Sequence, residues 1–535
     1  MEYYNKYQRG FEAQGQGAPT DDLPDLSLTD KGEGKRTINS WHEKQRILSF
    51  FGRLNYDFKD KYLLSFVFRR DGYSSLLGDN RWGFFPGVSA GWIFGREDFI
   101  KEAIPVMSFG KLRASYGING NASGIGAYTL QGSYGSSNSN GSFNYNGNTS
   151  YLITELPNPN LRWEKTATFE VGADLSFFAN RLNTNLTYYN RLTSDKYAAL
   201  SFPTSTGFSS VTNNNGEFRN QGIEIELSGK IIDSKDWTWS ASGNIAFNKN
   251  KIVSLPDNGM ERNRINAFQV YTGNGDEKKW VGGQQEGQEP GILYLYQADG
   301  IYRSYDEIPA NLVRKYGSRT YYGPEAWNKL TAEQQNATTN FPIQPGDTKF
   351  HDVNGDDVID EFDKVKVGAT SPRWTGGFNT TLRWKNFQLY GRFDYALGFW
   401  LYENSGTQST TPWFMGCYQG TYNTPTMYYD TWSESNPNAK YPRYLFADQN
   451  GKNNYIASTM FAYRGDYLAI REISLSYSLP ESVAKMLKMQ RAEVSITGQN
   501  LGYITGAKNV GSPEANPKDN GAVGQGYSLP RTILF

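Results

Sequence analysis

Cysteine and histidine are nearly missing from this chain of 535 residues. Cys417 is the single cysteine, and His42 and His351 are the two histidines. One thiol excludes a disulfide framework and a cysteine-based zinc site. Two scattered imidazoles exclude a histidine metal cluster and leave no basis for a Ser/His/Asp triad. The chemistry of cysteine and histidine therefore gives no candidate active site.

Net charge and long apolar runs are also missing. Lys plus Arg and Asp plus Glu both number 54, and no basic run stands out, so nothing favours binding to nucleic acid. No stretch approaches the roughly 20 apolar residues that a membrane-spanning helix requires. Met1 is not followed by a secretory signal peptide. These absences leave a polar chain with no helical membrane span.

The chain is rich in aromatic residues, which make up 15% of it, and in glycine, with 56. This bias favours β-structure. In "TATFEVGADLSF", apolar residues such as Phe169 and Val171 alternate with polar ones such as Glu170 and Asp174. The same period of two recurs in "IEIEL", "WTWSASGNIAF" and "NFQLYGRFDY". It predicts strands with one apolar and one polar face. Helical periodicity is confined to a short surface helix at "ESVAKMLKM".

The spacing of the predicted strands separates a membrane barrel from a soluble sandwich. We predict spans at 46–57, 62–71, 83–93, 109–118, 166–177, 182–192, 217–229, 237–248, 373–384, 387–397, 466–478, 491–500 and 526–535. Short links alternate with long ones at 119–165, 193–216, 249–372, 398–465 and 501–525. Transmembrane barrels have such one-sided long loops, whereas a sandwich has no reason for them. In a barrel, Glu170, Asp174, Glu224, Glu226, Arg392 and Asp394 would face the lumen.

Residues 350–368, "FHDVNGDDVIDEFDKVKVG", have the spacing of a calcium loop. Candidate ligands at positions one, three, five, nine and twelve, with a carbonyl at seven, are Asp352, Asn354, Asp356, Asp360, Asp363 and Val358. Asp357 stands where glycine normally allows a positive φ, and position twelve is Asp rather than Glu. The pattern predicts a structural calcium ion that orders a long extracellular loop. The alternative is an acidic turn whose side chains bind their own backbone.

Aromatic residues in the 398–465 connection are candidates for substrate contacts. Trp400, Tyr402, Trp413 and Phe414 could stack on sugar rings or pack against a partner protein. The same aromatics suit a secreted, β-rich glycan-binding protein, which is the main alternative to a membrane barrel. A glycoside hydrolase would need two convergent carboxylates, and the sequence singles out no such pair.

Several stretches resemble the SusC/RagA family of TonB-dependent outer-membrane transporters. They are "SFFGRLNYDFKDKYLLSFVFRRDGYSSL", "DNRWGFFPGVSAGW", "KLRASYGINGN", "LPNPNLRWEKTATFEVGADLSFFANRL", "NQGIEIELSG", "PGDTKFHDVNGDDVIDEFDKVKVG" and "YLAIREISLSYSLP". They follow the family's order over nearly the whole chain. The resemblance implies an all-β, antiparallel transmembrane barrel with long extracellular loops, in the outer membrane of a Gram-negative, Bacteroidota-like bacterium.

What the resemblance implies about function is uptake rather than catalysis. A barrel of twenty-two strands, plugged by an N-terminal domain and capped by a SusD-like surface lipoprotein, would import oligosaccharides or peptides with energy supplied through TonB. We find no plug or TonB box here, so residues 1–535 are expected to form the C-terminal barrel portion, of about 13–14 strands. Residues 1–45 would be a strand tail and an extracellular loop, and 249–372 a long extracellular loop. Because an open sheet edge is untenable in lipid, this portion would need the missing N-terminal part.

Overall fold

A computed structural model describes most of the chain. The described residues are 1–18, 20, 25–32, 35–138, 141–142, 144–146, 148–403, 430–443, 456–507, 512–514, 522–523 and 529–535. No helix among them is long and apolar enough to span a bilayer. The helices are α1 (Asp98–Ala103), α2 (Pro324–Asn328), α3 (Ala332–Gln335) and α4 (Glu481–Met486).

One large sheet dominates the described residues and contains fourteen strands. They are β1 (Glu2–Gly15), β2 (Arg36–Phe58), β3 (Tyr62–Tyr73), β4 (Trp82–Trp92), β5 (Met107–Asn121), β6 (Glu164–Phe177), β7 (Leu182–Ser201), β8 (Ser210–Asp233), β9 (Trp237–Ser254), β10 (Trp374–Trp384), β11 (Phe387–Leu397), β12 (Tyr467–Ser478), β13 (Glu493–Thr505) and β14 (Thr532–Leu534). Their order in the sheet is their order in the chain, and the paired neighbours run antiparallel. The sheet is thus an uninterrupted meander with β1 and β14 at its edges.

The predicted alternation sets the two faces of this sheet. Phe169 and Val171 on β6 are exposed on one face, as are Ile223, Ile225 and Leu227 on β8. Cross-strand pairing keeps the pattern in phase, because Leu227 lies opposite Gly243, which in turn lies opposite Phe378. Side chains of period two stay on one face only when the register is kept across every pair. The large exposed apolar face is therefore built by the sequence pattern and the register together.

Several strands extend beyond their predicted ends. β2 begins at Arg36, so residues 36–45, which we expected in a loop, belong to the sheet. β8 begins at Ser210 rather than at 217, and β9 continues to Ser254, inside the predicted 249–372 loop. These extensions are mostly polar and lack a continuous apolar face, so backbone pairing holds them in the sheet. The apolar alternation identified the part of each strand that has an apolar face. It did not identify the full length over which the strand is hydrogen-bonded to its neighbours.

Connections at the two ends of the sheet differ as predicted. At one end, β6 joins β7 and β10 joins β11 through tight turns. Phe178, Ala179 and Asn180 in the first turn, and Lys385 in the second, have positive φ angles. Long connections lie at the other end, between β5 and β6, β9 and β10, and β11 and β12. We refer to these as the short-turn end and the long-loop end.

The connection between β9 and β10 is folded rather than extended. Within it, Val313–Tyr316 pairs antiparallel with Arg319–Tyr322 and parallel with Val358–Ile359. A buried cluster joins this region to Ile456, and its members are Tyr296, Tyr302, Ile308, Leu312, Tyr321, Ile343, Phe350 and Ile359. A second cluster joins it to the β11–β12 connection through Leu295, Tyr402, Tyr441 and Phe461. We call these two clusters the loop core.

Candidate functional site

The inner, polar face of the sheet aligns inward positions of seven strands in one row, and six of these positions carry polar side chains. Successive antiparallel pairs place its members side by side: Lys111, Asp174, Asn185, Glu226, Asn244, Gly377 and Asp394. A cavity of about 530 Å³ lies against this row and also contacts Arg392. Glu170 lines further cavities of the same face, beside Arg191. The structure therefore brings these predicted lumen residues to one surface.

Charges on the inner face compensate each other across strands. The Arg113 guanidinium on β5 donates to Asp174 on β6 at 3.2 Å and to Asn185 on β7 at 2.9 Å. It also donates to the Thr187 hydroxyl. These paired groups are partly exposed, so each pair contributes little to stability, typically below about 1 kcal/mol. Their effect is to hold polar groups at fixed positions on the solvent-exposed inner face.

A second ionic group connects the wall to the β13–β14 connection. Arg471 on β12 donates to Asp394 at 2.6 Å and also to Glu514. Glu514 further accepts a hydrogen bond from the Tyr503 hydroxyl at 2.8 Å. The described segment 512–514 is thereby fixed against the inner face. Sequence reasoning missed Arg471, because a register shift between Ile470 and Glu472 breaks the alternation there.

Arg113 is the other inner-face cation that the sequence reasoning left unnamed. It lies within "LRASYGI", whose alternation alone places it on the polar face beside Lys111. A usable signal was therefore present for Arg113. For Arg471 there was none, since its direction depends on the bulge.

The predicted substrate aromatics lie in different surroundings. Tyr402 is 5% exposed and packs in the loop core, so its ring offers almost no surface to a ligand. Trp400 is half-buried, with the Arg464 guanidinium 5.4 Å from its ring centroid and the Gly368 backbone against its edge. Trp413 and Phe414 lie outside the described residues. Of these four, Trp400 is the one whose described surroundings leave part of the ring exposed.

The acidic loop is folded by hydrogen bonds from its own backbone. Asp352 accepts from the amides of Gly355 and Asp357, both at 2.8 Å, and Asp356 accepts from Val358 at 2.8 Å. Asp360 accepts from Phe362 at 2.8 Å. Asp357 has a φ of 61°, the positive value required at that position. The loop thus adopts the acidic turn that we considered as the alternative to a metal site.

The centre of this loop has two features that a turn alone does not explain. Asp363 is fully buried and accepts the amides of Val353 at 2.9 Å and Asp360 at 2.7 Å. Burial is the largest cause of a rise in its pKa to about 6; the nearby Asp360 and Asp352 carboxylates contribute to this rise, and the two amide hydrogen bonds oppose it. The Oδ1 atom of Asn354 is buried and has no hydrogen-bond partner within the described part of the chain.

A metal centre is nevertheless not assembled in this geometry. Among the described residues, no group of three or more Asp, Glu, His or Cys side chains converges on a position that could hold an ion. Val358 pairs with Val313 as part of a short strand, and its neighbour Ile359 is buried in the loop core. Calcium at Asp352, Asn354, Asp356, Val358, Asp360 and Asp363 stays a prediction.

The outer face carries the aromatic residues expected at membrane interfaces. At the short-turn end, the rings of Trp237 and Trp384 lie 5.7 Å apart, and those of Phe387 and Tyr477 lie 4.6 Å apart. At the long-loop end, Trp374 packs on Phe247 at 4.7 Å. From Trp374 to Trp384, ten residues of tilted strand rise about 25 Å, the height of the apolar band of outer-membrane barrels.

Not every aromatic residue near the end of a strand belongs to these outer rows. Phe85 is 5% exposed and packs on Trp163 on the inner face, with ring centroids 5.4 Å apart. Its neighbour Phe84 points outward and is exposed. Adjacent residues of a strand face opposite sides, so only one of the two can reach the lipid.

Comparisons with known proteins agree with this architecture. The family profile described as "TonB dependent receptor-like, beta-barrel" matches residues 1–310. TonB-dependent receptor P3 of Formosa agariphila is 29% identical over 90% of this chain and 43% of its own length. TonB-dependent receptor SusC of Bacteroides thetaiotaomicron is 27% identical over 88% of this chain and 41% of its own. The chain therefore spans less than half the length of these relatives.

A solved structure shows the same fold. The RagAB peptide transporter superposes with a TM-score of 0.68 at 22% identity, covering 98% of this chain and 51% of that one. Because the family profile describes a TonB-dependent receptor-like barrel, neither the secreted glycan-binding protein nor the glycoside hydrolase is retained. The strand order, the apolar outer face and the profile match agree: the chain belongs to the family of TonB-dependent receptor-like β-barrels and is an outer-membrane protein, not an enzyme.

Proposed function

We propose that this chain forms part of the barrel wall of a SusC-like importer that takes up oligosaccharides or peptides. The observation that carries the proposal is the row of inward positions across seven strands, six of which carry polar side chains. Such a wall suits a hydrated passage rather than a packed core. Its mixture of carboxylates, amides and guanidinium groups suits hydroxyl-rich or zwitterionic solutes.

The proposed partners follow from the two kinds of relative. The sequence similarity to SusC supports uptake across the outer membrane. The RagAB peptide transporter supports it only through the similarity of its fold. We propose that a SusD-like lipoprotein covers the long-loop end and that TonB energises the receptor through a plug. The edge strands β1 and β14 would then pair with further strands of the receptor, which removes open edges from the lipid.

Deleting the gene for the complete receptor tests the uptake proposal. The deletion strain should fail to grow on one class of oligosaccharide or peptide as sole nutrient, and grow normally on its monomers. Complementation with Glu226→Leu/Asp394→Leu should restore growth only in part, because these substitutions remove two charges from the inner row. Leu227→Ile, on the outer face at the same level, is the matched control. Normal growth of the deletion strain on every oligomer tested would contradict the proposal.

We also propose that calcium, where it is available outside the cell, completes the acidic loop. A cation would compensate the buried Asp363 carboxylate and give the Asn354 Oδ1 atom a partner. One millimolar calcium should slow protease cleavage at 350–364 in the purified receptor, and Asp360→Ala should remove this protection. Glu361→Ala, which changes an exposed neighbour, should keep it. Equal cleavage with calcium and with chelator would reject the metal and leave the self-bonded turn.

A further inference from the structure

The outer face of β1–β3 carries exposed cations beside its lipid-facing residues. Arg9 on β1 lies opposite His42 on β2, and Lys44 and Arg46 follow at the next two outward positions of β2. Arg70 on β3 lies opposite Phe50. The side chains of these four cations are exposed. We call Arg9, Lys44, Arg46 and Arg70 the basic patch.

Acidic residues of the same strands all lie on the opposite face. Those of β1–β4, every residue of which the structure describes, are Glu2, Glu12, Glu43, Asp57 and Asp71. Their positions alternate with those of the basic patch. Arg69, which points inward, pairs with Asp71 at 2.7 Å and Glu2 at 3.3 Å. No ion pair joins a member of the basic patch to an acidic side chain within the described residues.

The basic patch begins where the apolar band ends. The rings of Phe50 and Trp82 stack at 6.3 Å, and the Arg70 guanidinium lies 5.2 Å from the Trp82 ring. From Phe50 to Phe58, at the short-turn end, the outward side chains of β2 are uncharged. The cations follow on the long-loop side of Phe50. They are therefore restricted to one of the two membrane interfaces.

A second group of strands repeats this arrangement. On β9, Lys249 and Lys251 are exposed and follow Phe247 at the next two outward positions, just beyond its contact with Trp374. On β6, Lys165 is exposed two outward positions beyond Phe169. These cations lie above the same interface on strands that are well separated in the sheet. Their distribution therefore indicates an anionic environment along this interface rather than one local contact.

The height of the basic patch decides what kind of surface it meets. From Phe50 to His42, opposite Arg9, eight residues extend about 26 Å along the strand, or roughly 20 Å along the bilayer normal at the usual barrel tilt. The polar layer of a phospholipid leaflet is only about 5–7 Å deep. The uppermost cations thus lie beyond phospholipid headgroups and need a taller anionic layer.

We propose that the basic patch binds phosphate groups of an anionic glycolipid, whose lipid part and oligosaccharide lie against the outer face at the long-loop end. Arg70 would reach phosphates at the hydrocarbon boundary, where its guanidinium lies over the Trp82 ring. Lys44, Arg46 and Arg9 would contact phosphates of the oligosaccharide. This assignment rests on the membrane orientation of the sheet and does not depend on which solute the receptor imports.

Binding of purified glycolipid to the detergent-solubilised complete receptor tests the proposal. The probe is phosphorylated lipid A that carries its core oligosaccharide, and the comparison is the same lipid after enzymatic dephosphorylation. A cation near an anionic surface strengthens binding about fivefold, so Arg9→Gln/Lys44→Gln/Arg46→Gln should weaken binding about 100-fold at low salt. The dephosphorylated lipid should bind the unmodified receptor as weakly as the intact lipid binds this variant.

The matched control is Lys6→Gln. Lys6 lies on β1 opposite Gln45, at the level of Lys44 and Arg46 but on the inner face. Its substitution should leave glycolipid affinity unchanged. The proposal would be overturned if the triple variant and the unmodified receptor bound the glycolipid equally. It would also be overturned if the triple variant kept its glycolipid binding but lost its lipoprotein partner. The second outcome would assign the patch to an acidic protein surface. Unchanged heat-induced gel mobility verifies that each variant is folded.

Discussion

The sheet and the loop core differ in where their apolar side chains point. Leu227 and Phe378 on the sheet are 51% and 41% exposed, whereas Phe461 in the loop core is fully buried. Both regions belong to the same chain, and both contain large apolar side chains. The sheet depends on lipid to cover its outer face, and the loop core excludes water by packing on itself. Substitutions of similar size should therefore have different consequences in the two regions.

Removing a large side chain from the loop core should have the largest effect. Phe461→Ala deletes a ring that packs among Leu295, Tyr402 and Tyr441, and should cost about 3–5 kcal/mol of local stability. Hydrogen exchange of residues 292–302 in the receptor in bilayers would report it. Phe378→Ala on the outer face is the control, and should cost less because lipid chains refill the space. Equal protection losses would abolish the distinction between the two regions.

A charge should destabilise the sheet more when it is placed on the outer face than when it is placed on the inner face. Leu227→Lys, midway between the aromatic rows, should destabilise the receptor in bilayers by about 2–4 kcal/mol. Ser228→Lys, one residue along and facing inward, should cost little because its ammonium group stays hydrated. Urea titration in lipid vesicles measures both variants. A similar cost for the two would mean that the outer face is not in lipid.

Lowering the pH should stabilise the acidic loop relative to the sheet. The pKa of Asp363 is raised to about 6 in the folded loop, above its ordinary value of 3.8. Its contribution to stability is therefore fully present below about pH 4 and is lost as the pH rises through 6, by on the order of 3 kcal/mol in total. Hydrogen exchange of 350–364 at pH 5 and 7.5, corrected for intrinsic rates, measures the difference. Asp363→Asn should remove it, and an unchanged pH dependence in that variant would refute the assignment.

Shortening one aromatic residue of the girdle should have the smallest effect. Trp237→Ala removes the stacking on Trp384 and should cost about 0.5–1.5 kcal/mol beyond the lost area. The same urea titration in vesicles applies, with the exposed Lys235→Ala as a control. A cost as large as that of Phe461→Ala would mean that Trp237 belongs to a packed core.

The sequence alone determined the strands, their faces and the two unlike ends, because side chains of period two and loop lengths are local properties. It placed Glu226 and Asp394 inward before any register was known. Only the tertiary structure decided that β2 starts at Arg36, since polar strands are held by pairing with β1 rather than by an apolar pattern. It also decided the direction of Arg471, which a bulge turns toward Asp394, and the burial of Tyr402 among residues distant in sequence. Those outcomes depend on contacts between separate segments, and a single sequence does not encode such contacts in any local pattern.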